Sequence, residues 1–262
     1  MIEVKHITKS LPDGKQILKG ISFVAEKGDF IGILGPSGAG KTLTMRCLNG
    51  LTKPSSGHIY VNYENRIKDI SKCRGRELRE MRQKIGVIFQ GFNLVKRLSV
   101  LDNVMIGRLG QINSLRSLFY GFTDSEAKEA LQALENVKIA HLAHRKVASL
   151  SGGEMQRVAI ARAIFQNPVM LLADEPIANL DPSNAKKIMK LLKPLAQEMP
   201  VIGVFHQPKI ASEYCNRIIA IKNGIVVYDG SPNLSEKKLE EIYGEEFNAL
   251  EEATMTPTLA YS

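Results

Sequence analysis

Apolar and polar residues alternate at the start of the chain, where Glu3 and Lys5 separate Ile2, Val4 and Ile7. A period of two sends successive side chains to opposite faces, so the segment predicts a strand with one buried side. Residues 17–24 and 57–63 read the same way. From Asp29 through Phe30, Ile31, Gly32, Ile33 and Leu34 to Gly35 the alternation disappears. A short apolar run that ends in a glycine loop and leads into a helical pattern predicts a buried parallel strand. Residues 85–89, 169–173 and 201–205 predict further strands. Helical patterns cover 74–84, 182–197 and most of 98–166, with Thr123 and Glu126 placed to begin one helix. A last strand pair falls at about 218–228, turned by Asn223 and Gly224. Strands alternating with helices predict an α/β fold with a parallel sheet covered on both faces, and the helical block reads as an insertion.

Composition narrows the function classes. The 262 residues suit one large α/β domain or two small ones. No apolar run approaches the ~20 residues that cross a bilayer, and the N-terminal residues lack the apolar core of a signal peptide. Any membrane role is therefore expected through a partner. Cys47, Cys73 and Cys215 are widely spaced and form no metal-binding pattern, which predicts reduced cytosolic thiols. The formal charge of +8 attracts phosphates or an anionic surface. No zinc module or basic stripe interleaved with aromatics supports a nucleic-acid partner. Residues 251–262 read as a loose tail.

The chemistry begins at Gly35, Pro36, Ser37, Gly38, Ala39, Gly40, Lys41 and Thr42. Glycines let backbone N–H groups turn inward around phosphate oxygens, and the following helix adds its positive end. Lys41 can reach the β- and γ-phosphates, and the Thr42 hydroxyl can ligate Mg²⁺. The strand over 169–173 runs into Asp174 and Glu175, and ligands of open α/β sheets collect at such carboxyl ends. Asp174 is placed to hold Mg²⁺ and Glu175 to polarise an attacking water; two solvated acids capping the next helix is the other reading. Ser151 followed by Gly152, Gly153 and Glu154 forms a capping box. The two glycines also leave that helix start open to an anion. A second phosphate-binding helix start suggests ATP sandwiched between two copies of the chain.

These segments, with Gln90 and His206, stand in the order found in ABC transporter ATPases. They resemble that family's Walker A loop, Q-loop (Gln90), signature motif (Leu150 to Glu154), Walker B strand and switch histidine (His206), and residues 179–181, ending in Asp181, resemble its D-loop. The resemblance implies a P-loop NTPase (RecA-like) core over 1–90 and 166–250, with an antiparallel β subdomain and an inserted α-helical subdomain over 91–165. It implies an ATPase using ATP and Mg²⁺, paired head to tail as a homodimer, so that Ser151 and Gly153 face the partner's γ-phosphate. Gln90 would touch Mg²⁺ or its water, His206 the γ-phosphate, and Asp181 would belong to the nucleotide site. Transmembrane permease subunits and, indirectly, a periplasmic or extracellular solute-binding protein would complete the assembly on the cytoplasmic face of the inner membrane, with no nucleic acid. Residues 93–104, 107–110 and 115–119, with Glu241 to Gly244, resemble the phosphonate-import ATPases more narrowly. Leu11 departs from the pattern, standing where the family usually carries an aromatic residue that stacks on adenine. Glu154 and Asn179 replace commoner residues without removing a catalytic group. The alternatives are the ATPase of another transporter, or a soluble relative acting on nucleic acid.

Overall fold

The computed structural model describes residues 1–64, 66–112 and 121–247. The expected tail at 251–262 and the narrower resemblance at 115–119 lie outside them. The alternating N-terminal segments form an antiparallel sheet of β1 (Ile2–Ser10), β2 (Gln16–Ala25), β4 (Ser56–Tyr63) and β5 (Arg66–Asp69), ordered β2-β1-β4-β5. The continuous apolar runs form a second sheet. It consists of β3 (Phe30–Leu34), β6 (Ile85–Ile88), β7 (Met170–Asp174), β8 (Val201–Val204), β9 (Arg217–Lys222) and β10 (Ile225–Gly230), ordered β10-β9-β3-β8-β7-β6. All neighbours are parallel except β10, which returns antiparallel through the Asn223–Gly224 turn.

The lack of alternation in β3 now has a physical reason. Every residue of this strand is buried, but on two different faces. Phe30 and Leu34 pack in one core with the helices, whereas Ile31 and Ile33 pack in another with Ile2, Val4, Ile7 and Ile21 of the antiparallel sheet. The period of two persists in three dimensions, but both faces demand apolar side chains.

Helices α1 (Lys41–Leu48) and α2 (Gly75–Gln83) precede β6. Between β6 and β7 come α3 (Val100–Met105), α4 (Asp124–Asn136) and α5 (Gly152–Phe165), and after β7 come α6 (Pro182–Leu192), α7 (Pro208–Tyr214) and α8 (Glu236–Tyr243). Thr123 with Glu126, and Ser151 with Glu154, each make the reciprocal hydrogen bonds of a capping box. The fold class is the one expected from the sequence: a parallel α/β core, an antiparallel sheet packed on it, and helices inserted into it. The helix expected over 182–197 ends at Leu192 and tightens into a 3₁₀ turn at Lys193–Gln197, where Pro194 has no N–H to continue the ladder. Strand β5 and helices α7 and α8 were not expected, being short segments whose charged residues obscure a period.

Gly35, directly after β3, has φ 141°, and a Cβ on it would lie 1.9 Å from the Ile221 carbonyl oxygen of β9. Gly35→Ala is expected to force β3 and β9 apart and cost about 1–3 kcal/mol, the usual range for overpacking. Urea denaturation is the test; an unchanged midpoint would show that the loop does not approach β9 this closely.

Candidate active site

The loop from Gly35 to Gly40 joins a buried strand to a helix, so its backbone must reverse within a few residues. Gly38 (φ 72°) and Gly40 (φ 102°) supply the left-handed conformations this takes, and Gly40 is the N-cap of α1. The first turn of α1 carries no acidic residue, leaving its positive end uncompensated. Lys41 is buried and donates to the carbonyls of Gly35 (2.6 Å) and Pro36 (2.8 Å). Burial lowers its pKa, while the nearby charges of Glu246 and Glu175 raise it. The result is a concave row of N–H donors with a poorly hydrated cation, the chemistry that binds polyphosphate.

Strand register delivers the remaining polar groups to the same edge. Ile33 pairs with Val204, Asp174 with Val204, and Ile88 with Ala173. Gly35, His206, Glu175 and Gln90 therefore leave the sheet side by side. Gln90 Nε2 donates to Glu175 Oε2 at 2.6 Å, and His206 Nε2 lies 2.5 Å from Glu175 Oε1. Glu175 itself has φ 50°, an uncommon conformation for a non-glycine residue and one often stored at functional sites. Both of its carboxylate oxygens are thus fixed by side chains from neighbouring strands.

Asp174 differs sharply. Its Oδ1 is buried without a hydrogen-bond partner among the described residues. Burial, then the charge of Glu175, raises its pKa; Arg46 and His206 oppose the shift. Buried carboxylate oxygens are normally satisfied, so an orphan here fits a cation site. No group of three His, Cys, Asp or Glu among the described residues forms a self-contained metal cluster. A hard cation at Asp174 would therefore draw further oxygens from phosphate, water, Thr42 and Gln90.

Beyond Gln90 the chain turns through Phe92 (φ 59°) and Asn93 (φ 50°), and Arg162 of α5 donates to both of their carbonyls. The position of Gln90 is thereby tied to the inserted helices. A cleft of about 370 Å³ brings together Ile17, residues 37–43, Glu175 and His206.

Ser151, Gly152, Gly153, Asp181 and Leu11 do not line this cleft. Ser151 is exposed, its backbone N–H and hydroxyl bonded to the Glu154 carboxylate. The Asp181 carboxylate caps its own helix α6, accepting from the N–H groups of Ser183 and Asn184. Leu180 and Asn184 border Gly152 and Gly153, so the segment around 179–181 adjoins the second helix start rather than the phosphate loop of the same chain. Leu11 is exposed in the turn between β1 and β2, and Ile17 of β2 is the residue of this region that lines the cleft. Sequence reading also missed Tyr243 and Glu246, which accept hydrogen bonds from the N–H groups of Gly35 (3.3 Å) and Ser37 (3.0 Å). No local motif announces contacts across more than two hundred residues; the only signal was the family resemblance at Glu241 to Gly244, which includes Tyr243 but not Glu246.

Residues 18–178 match the family model described as ABC transporter. A phosphonates import ATP-binding protein, PhnC 2 of Synechococcus sp., is 42% identical over 249 residues, covering 94% of this chain and 91% of the relative. PhnC 2 of Halalkalibacterium halodurans is also 42% identical, covering 93% and 99%. Among solved structures, the dimeric bacterial ABC transporter cassette MJ0796 is similar with a TM-score of 0.74 at 34% identity, covering 90% of this chain and all of the other. The ADP conformation of the cassette MJ1267 is similar with a TM-score of 0.77 at 29% identity, covering 98% and 99%.

The raised pKa of Asp174 sets a pH dependence. Its contribution to stability is complete below its unfolded-state pKa and is lost as pH rises through the elevated folded value. Asp174→Asn is therefore expected to unfold at a higher temperature than the wild type near pH 7, without added nucleotide or metal, and to lose that advantage in acid. Thermal melts across pH check this; a variant less stable at pH 7 would mean that the carboxylate is compensated within the fold.

Proposed function

The chain belongs to the ABC transporter family, as the ATP-hydrolysing subunit of an import transporter, and from that premise we propose that the solute is a phosphonate or a related phosphate- or phosphite-like anion. Similarity at about 40% identity across nearly the whole chain to proteins named for phosphonate import supports this. Deleting the gene should abolish growth on an alkylphosphonate as sole phosphorus source while leaving growth on phosphate intact. Unimpaired growth and uptake with both phosphonate and phosphite would refute the assignment.

The hydrolytic reading rests on one observation above all: a carboxylate, Glu175, held by Gln90 and His206 beside a phosphate loop. In this reading the loop N–H groups and Lys41 bind the β- and γ-phosphates of ATP. Glu175 accepts a proton from the attacking water, and His206 and Gln90 orient its carboxylate. Thr42, Gln90 and Asp174 would hold Mg²⁺, which neutralises phosphate charge when bound. Ile17 offers the base or sugar an apolar contact beside the loop.

Cassettes of this family form dimers and work with membrane permease subunits. We assign Ser151, Gly152 and Gly153 to the γ-phosphate held by the partner copy and Asp181 to the same interface. Their separation from the cleft, with Ser151 exposed and the N–H groups of Gly152 and Gly153 at a helix start, supports that division. The permease would dock where the family resemblance puts it, beside residues 93–110. A second cleft of about 390 Å³, lined by Leu51, Phe89, Asn93, Ile106, Gly107 and Arg162, lies there. Arg162 lines it and also holds the turn after Gln90, a direct mechanical route from permease to catalytic centre. No helix among the described residues is long and apolar enough to cross a membrane. From the family premise, the proposed location is peripheral, on the cytoplasmic face of the inner membrane, with a solute-binding protein acting from the other side and no nucleic acid involved.

Glu175→Gln is expected to retain ATP binding and slow hydrolysis by about 10²–10⁴-fold, the worth of a positioned general base. Phosphate release at saturating ATP is the measurement; a wild-type rate would remove Glu175 from the mechanism.

A further inference from the structure

Helix α8 ends at Tyr243, and after Gly244 (φ 60°) the chain runs back toward the phosphate loop. Two buried aromatic side chains fasten this stretch. Tyr243 and Phe247 both join the core that underlies the helices, and the Phe247 N–H closes the intervening turn on the Gly244 carbonyl at 3.0 Å. Lys222 secures the helix end from β9 by donating to the carbonyl of Glu241. Between the anchors, Glu246 is exposed, and its Oε2 accepts the N–H of Ser37 at 3.0 Å. Tyr243 Oη accepts the neighbouring N–H of Gly35. The Glu246 charge also acts on Lys41, raising its pKa against the larger effect of burial.

We propose that Glu246 is a resident anion on the phosphate loop, an intrasteric competitor that the phosphates of ATP must displace. The chemistry of the loop favours this. It offers N–H donors, a helix N-terminus and a desolvated ammonium, all of which select a negative oxygen without regard to its source. A carboxylate on the Ser37 N–H uses a donor that the phosphate chain would use, and its charge repels incoming phosphate. Glu246 is tethered, so its effective concentration at the loop is high and constant. It therefore taxes every binding event by the fraction of time it occupies the loop. By reciprocity, bound ATP releases Glu246 and loosens the strap around it, making α8 a structural reporter of nucleotide occupancy.

This inference rests on the nucleotide reading of the cleft, and the test separates the two. ATP affinity is measured by calorimetry for the wild type, Glu246→Gln and Glu245→Gln. Glu245 is exposed and carries the same charge one residue away, with no hydrogen bond or ion pair to the loop among the described residues. Glu246→Gln is expected to tighten ATP by about three- to tenfold, corresponding to an occupied fraction that is a clear majority, and Glu245→Gln to change it by less than about twofold, as a screened surface charge should. Backbone amides at 243–247 in the wild type should exchange faster with deuterium once ATP is bound. Unchanged or weaker ATP affinity in Glu246→Gln, or equal tightening in both variants, would overturn the competition. Failure of the wild type to bind ATP at all would instead overturn the nucleotide site itself.

Discussion

Everything at the catalytic edge depends on the register of three buried parallel strands. Pairing Ile33 with Val204, and Val204 with Asp174, fixes where β3, β8 and β7 end relative to one another. The phosphate loop, His206 and Glu175 emerge at one level because of that pairing. A register slip of one residue would exchange the side chains that each strand sends to its two cores and disrupt the close packing of both. Apolar packing far from any ligand thus specifies positions that catalysis needs to a fraction of an ångström.

Within that frame the fold tolerates electrostatic discomfort. Lys41 is buried, Asp174 keeps an unpaired oxygen, and Glu175 occupies a left-handed conformation. Each is unfavourable for an isolated fold. In the proposed reading, a polyphosphate would compensate the buried Lys41 and a cation the unpaired Asp174 oxygen. The contacts of Gln90 and His206 with Glu175 join the chain ends of β6, β7 and β8. Through Arg162, the inserted helices share in holding the turn that follows Gln90. In the proposed assembly, a permease docked beside those helices would act on the carboxylate without touching it.

Much of this was legible in the sequence, for identifiable reasons. The phosphate loop, Asp174 with Glu175, and the Ser151–Glu154 capping box are local chemistry, with residue type and spacing both dictated by backbone geometry. The Asn223–Gly224 hairpin was legible because few residues adopt φ > 0. What escaped notice was non-local. Ile17 became a cleft residue through the stacking of one sheet on another, and nothing in the alternation of β2 marks it out. Tyr243 and Glu246 reach the loop only because α8 packs back against the core. The family pattern drew attention to Leu11, whereas the cleft takes its apolar wall from Ile17. The break at Leu192 was visible in Pro194, but an amphipathic period continuing past it obscured the stop.

The central claim is that His206 acts through Glu175, as the 2.5 Å contact between them implies. A double-mutant cycle in single-turnover ATP hydrolysis tests it most directly, comparing His206→Ala in the wild type and in Glu175→Gln. Residues that work as a unit are strongly non-additive. The account predicts that His206→Ala slows the wild type substantially but changes Glu175→Gln by less than about twofold. An equal fold loss in both backgrounds would show that the two side chains act independently, and would contradict the account.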